Sequence, residues 1–170
     1  MATPDRETAA QVESAEVSET DYTSAVYGSL LVTTLIAAQW HHGVSVQFLG
    51  LSIVIGVATF WLAHVWAATV NRRVHGPIGW AGVLELGREE APMLVAAVIP
   101  ALILGLYRIG VTSDDTAIGL ALLVSIVQLF IWGLAVGRAA HSSWPFALAV
   151  ATIDCLLGIL VVVLKVLVIP

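Results

Sequence analysis

The chain has 170 residues, 59% of them hydrophobic and 11% charged, with a formal net charge of −5 and a mean hydropathy of +0.95. A soluble globular chain is about a quarter charged, so this composition offers too little polar surface for a water-soluble fold of this length and points to an all-α membrane protein. Net acidity without a basic patch argues against nucleic acid as a partner, and the single Cys155 leaves no internal disulfide and no multi-cysteine metal site.

Residues 1–23 hold Asp5, Glu7, Glu13, Glu16, Glu19 and Asp21 against Arg6 alone. They lack the basic start and apolar stretch of a signal peptide and read as a disordered acidic cytoplasmic tail. A helix needs about 20 apolar residues to cross a bilayer core of roughly 30 Å. Residues 24–170 contain stretches of that kind at 24–41, 47–71, 92–111, 116–138 and 144–169, which predicts a bundle of about five transmembrane helices. Most connections are short and place successive helices side by side.

The long connection is 72–91. After Gly76 and Pro77, its Trp80, Val83, Leu84 and Gly87 share one helical face while Glu85, Arg88 and Glu89 point elsewhere. This predicts a short amphipathic helix lying in the interface between the second and third spans. Glu89 and Glu90 then precede Pro92, a pattern that suits a helix start, where acids complement the dipole; the other reading makes them a gate. Pro100 removes a backbone bond to Ala96 and predicts a kink in the third span. In the fourth span Gly133 and Gly137 form a GxxxG pattern for close packing, within the chain or between copies.

Arginine and lysine concentrate on cytoplasmic loops. An N-terminus inside collects Arg6, Arg72, Arg73, Arg88 and Arg138 there and leaves Arg108 and Lys165 near helix ends on the other side, where long stems snorkel. The expectation is a cell-membrane protein with its N-terminus cytoplasmic and its C-terminus outside, Trp40, Trp80 and Trp144 lying at the interfaces.

Ionisable and polar groups inside a span are costly and therefore informative. Asp154 falls about 15 Å beyond Trp144 along the fifth span, on a face with the small residues Ala147, Ala151 and Gly158. It reads either as a proton- or cation-carrying carboxylate or as a structural carboxyl. His64 lies in the second span with Ala67, Ala68 and Asn71 on its side, Gln128 in the fourth with Ser125 and Trp132, and Arg108 closes the strip Ala97, Ala101, Gly105 in the third. From the cytoplasm the expected order is His64, then Asp154 and Gln128 together, then Arg108. Converging, they form a proton or ion track; apart, each is interhelical glue. His41 and His42 with Asp114 and Asp115 read as a solvated rim in preference to a metal or pH site, so no metal and no cofactor are expected.

The stretches YGSLLVTTLIAAQW (27–40) and FWLAHVWA (60–67), with REEAP (88–92), resemble a family of small bacterial multi-pass integral membrane proteins of uncharacterised function. The resemblance implies a membrane bundle and draws notice to His64, and it implies no activity. No HExxH, GxSxG, P-loop or dinucleotide-binding glycine pattern occurs, so the chain is not expected to be an enzyme. The first expectation for function is a small ion or proton channel or transporter-like protein acting as a homo-oligomer in the lipid bilayer; the alternative is a non-catalytic accessory or scaffold subunit bound to a membrane partner.

Overall fold

The computed structural model describes residues 6–40, 44–107, 109–140 and 143–168. Among these the chain forms α1 (Arg6–Gln39), α2 (Val46–His75), α3 (Trp80–Glu89), α4 (Pro92–Tyr107), α5 (Asp114–Ala139) and α6 (Trp144–Val168). The chain is thus all-helical. Helices α2, α5 and α6 are long and apolar enough to cross a membrane, and α3 with α4 makes a fourth such element, bent by 48° at the break between them. Helix α1 falls below that apolarity, and the packing gives the reason: it sits inside the bundle, touching α2, α4, α5 and α6. Ala25, Val32 and Ile36 on it are fully buried alongside Ser29 and Thr33. The outward faces of the other helices are apolar, as at Ile55, Leu62, Leu102, Ile131 and Leu160.

Two elements add detail to the sequence reading. Helix α1 begins at Arg6, within the stretch expected to be a disordered tail. The segment just after Pro4 is rich in Ala and Glu and free of glycine, a composition that favours helix. The helix expected between the second and third spans exists as α3, which lies against α2 and runs into α4. Trp61 Nε1 donates to the Gly87 carbonyl at 3.1 Å, Leu86 is buried, and Trp80 and Leu84 remain exposed. The bend follows from Pro92, which has no N–H and disfavours helical geometry at Ala91. Helix α4 then continues through Pro100. Replacing Trp61 with Phe removes the indole bond; the expected loss is about 1 kcal/mol, read as faster amide exchange across α3 than across α5.

Local signals place the helix ends. Ser45 caps α2, accepting from the Phe48 N–H at 3.3 Å, and Asp114 and Asp115 occupy the first turn of α5, where acids favour the dipole. The last turns of α2 and α5 carry Arg72, Arg73, His75 and Arg138. These helices run the same way, so one end of the bundle is basic. Toward the opposite end Ile36, Leu49, Ile53, Leu104, Ile118 and Leu122 join one buried apolar cluster.

The α5–α6 pair is held by small residues on both sides. A Cβ on Gly133 would meet Ala151 Cα at 2.7 Å, and one on Gly137 would meet Ala147 Cα at 2.5 Å. The GxxxG face is therefore occupied within the chain, by the Ala147 and Ala151 strip. Arg138 closes the corner, its guanidinium 4.5 Å over the Trp144 ring.

Candidate functional site

Where α1 meets α4 and α5, the interior is polar. At the end nearer the basic rim the Ser24 hydroxyl donates to Glu90 Oε2, with both residues buried. Farther along α1, Thr33 Oγ1 lies 3.1 Å from Ser125 Oγ, to which it donates, and 2.8 Å from the Ser29 carbonyl. Ser125 in turn donates to the Leu122 carbonyl at 2.8 Å. Helices α1 and α5 are antiparallel, since Tyr22 meets Trp132 at 6.5 Å between ring centroids while Thr33 meets Ser125. One turn back from Thr33 is Ser29, and one turn on from Ser125 is Gln128, which puts these two at the same level. Ser29 Oγ and Gln128 Oε1 are both shut off from solvent and have no hydrogen-bond partner among the described residues. From Ser24 to Thr33 the polar stretch runs about 14 Å along the helix axis.

The α3–α4 break creates the end of this seam nearer the basic rim. Glu89 and Glu90 sit at the bend with their side chains parted: Glu89 Oε1 lies 3.5 Å from Arg72 on α2, while Glu90 turns inward to Ser24. Among the described residues Glu90 has no cation beside it. Gly28 admits this approach of α1 to α4, because a Cβ there would lie 2.6 Å from the Met93 carbonyl oxygen. Chemically, the seam holds a carboxyl on the α4 side of α1 and hydroxyls and an amide on its α5 side, the latter able to donate and accept. The apolar cluster around Ile36, Leu104, Ile118 and Leu122 closes it toward the far end.

The residues singled out from sequence occupy separate interfaces. Gln128 lies in the seam. His64 faces outward from it, between Tyr27 on α1, 5.9 Å away, and Phe60, 5.1 Å away; the two stretches 27–40 and 60–67 meet at this contact. Asp154 is half-buried over Gly133, where a Cβ would come within 2.5 Å of its Oδ2, and it has no bonding partner among the described residues. Gly158 faces Leu129, so Asp154 stands more than a helical turn nearer the basic end than Gln128, not level with it as counting from Trp144 implied. No hydrogen bond joins any two of His64, Gln128 and Asp154. Arg108, His41 and His42 lie outside the described residues. The described residues contain no cluster able to hold a metal ion.

The chain matches no family model, no curated protein and no solved structure.

Sequence reasoning missed Ser24, Ser29 and Thr33 as members of a site. Their signal was present as polar positions in the least apolar span, with Ser29 and Thr33 on one face and Ser24 on another, yet a helix can hide such groups by bonding them to its own backbone. Thr34, Thr59 and Thr152 do so on exposed faces, each 2.7 to 2.8 Å from the carbonyl four residues before it. Replacing Gln128 with Met keeps the volume and removes an unpartnered buried acceptor, whose burial costs about 1–3 kcal/mol. The expected result is a stability gain of about 1 kcal/mol or more in chemical unfolding of the detergent-solubilised protein.

Proposed function

We propose that this chain is a non-enzymatic integral membrane protein with five crossings, formed by α1, α2, the bent α3–α4 pair, α5 and α6, and that it conducts protons or a small inorganic cation as a homo-oligomer. The observation that carries the reading is a set of buried polar groups along α1: Ser24 bonded to the acid Glu90 on the α4 side, and, about a turn and a half farther along toward α5, Ser29 Oγ and Gln128 Oε1, two shielded oxygens without partners among the described residues. Unpartnered buried polar atoms are selected against unless they do something, and polar groups inside a membrane bundle line pathways. The grouping of Arg72, Arg73 and Arg138 at one end supports an N-terminus and a basic rim in the cytoplasm and a C-terminus outside. In this account the apolar cluster is the outer gate in its closed state.

The test is flux of protons and monovalent cations in liposomes holding the purified chain, under imposed pH and voltage gradients. Flux that disappears in Gln128→Met, the variant expected to be more stable, supports the pathway. A correctly inserted wild type without flux rejects it.

A second reading, an accessory subunit, rests on Asp154. This acid is half-buried at the α5–α6 edge without a bonding partner among the described residues, and a polar helix of another membrane protein would complete it. Copurification that is lost in Asp154→Leu favours this reading, and native complexes containing only this chain remove it.

A further inference from the structure

Outside the seam, a cleft of about 300 Å³ lies between α2 and α3. Its walls are apolar, with Leu62, Val65, Trp66 and Val83 along its length, and Arg73 and Trp80 also line it. The two neighbouring arginines differ in what they do. Arg72 is held by Glu85 at 3.6 Å and Glu89 at 3.5 Å. Arg73 makes no ion pair among the described residues, and it is an exposed residue that lines the cleft.

We infer that this cleft binds an anionic phospholipid from the surrounding leaflet, with its phosphate at Arg73 and one acyl chain along Leu62, Val65 and Val83. The argument is complementarity in both charge and shape. The distance along α2 from Arg73 to Leu62 is about 16 Å, the scale of a good part of one acyl chain, and the charge stands at one end of the apolar run. Trp66 and Trp80 flank the cleft with large exposed faces, and indoles suit the level where headgroups meet acyl chains. Basic pockets between helices at the cytoplasmic side recognise anionic headgroups by the same combination. Glu85 and Glu89 do not oppose the phosphate directly, because Arg72 lies against both. The inference rests on the membrane location proposed above and is independent of transport.

The test is native mass spectrometry of the full chain released from micelles doped with equal phosphatidylglycerol and phosphatidylcholine. Retention of phosphatidylglycerol is expected to exceed that of phosphatidylcholine about fivefold, the contribution of one basic side chain near a membrane surface. Arg73→Gln is expected to abolish the preference and Arg72→Gln to leave it. Val83→Phe, which fills the cleft, is expected to reduce retention of both lipids. Equal retention of the two lipids by the wild type, an unchanged preference in Arg73→Gln, or displacement of the lipid by inorganic phosphate overturns the assignment. Lipid retention reads out separately from flux, so failure here leaves the transport reading standing, and the reverse holds as well.

Discussion

Replacing Gly133 with Leu is expected to destabilise the protein by about 3 kcal/mol or more, because overpacking here meets the backbone of α6, which cannot swing aside as a side chain can. The first atom of the new side chain would already stand 2.7 Å from Ala151 Cα and 2.5 Å from Asp154 Oδ2, the former belonging to α6 backbone. Relief requires α6 to move off α5, and the same motion opens Gly137 from Ala147 one turn away. A Cβ on Gly119, on the same helix, would meet nothing within 4 Å, so Gly119→Leu is the matched control and is expected to be neutral or slightly stabilising. Chemical unfolding in detergent reads both variants. A Gly133→Leu protein as stable as the control contradicts the packing described for α5 and α6.

Glu90→Gln is expected to abolish flux while leaving the fold in place. The amide carbonyl still accepts from the Ser24 hydroxyl, so the change in stability is expected to stay near 1 kcal/mol or less, the usual scale of a hydrogen bond between membrane helices. What the amide loses is the ability to take up and release a proton. Asp154→Asn is expected to have little effect on flux, since Asp154 sits over Gly133, on the α6 side of α5, and shares no bond with the seam. Loss of flux in Asp154→Asn with full flux in Glu90→Gln would move the pathway to the α5–α6 groove. Liposome flux with matched protein content and orientation decides between them.

Helix class and most helix positions were legible because apolar length is a strong signal that neighbouring residues cannot cancel. The centre of the bundle was less so. Helix α1 is the least apolar crossing element proposed here, a property that marks it as weak when each span is judged alone; it is the natural property of a helix that meets protein on most sides. The pair Glu89 and Glu90 shows a second limit. Both acids precede Pro92 and satisfy the same helix-start pattern, but the bend at that proline sends one to Arg72 and the other to Ser24. Register between helices is a third. Asp154 and Gln128 come out level when counted from loop ends, and only the pairing of Gly133 with Ala151 and of Leu129 with Gly158 sets their offset.

The central claim is that water and ions reach the seam from the basic end. With Cys155 replaced by Ser, cysteines placed singly at Ser29 and Gln128 can be challenged with a small, membrane-impermeant cationic thiol reagent, with Ala97→Cys in the buried apolar cluster as reference. The account expects the Ser29 and Gln128 cysteines to be modified from the basic side well ahead of the Ala97 cysteine, and more slowly when Glu90 is also changed to Leu. Modification no faster than at Ala97 would contradict it and leave the seam a set of structural hydrogen bonds.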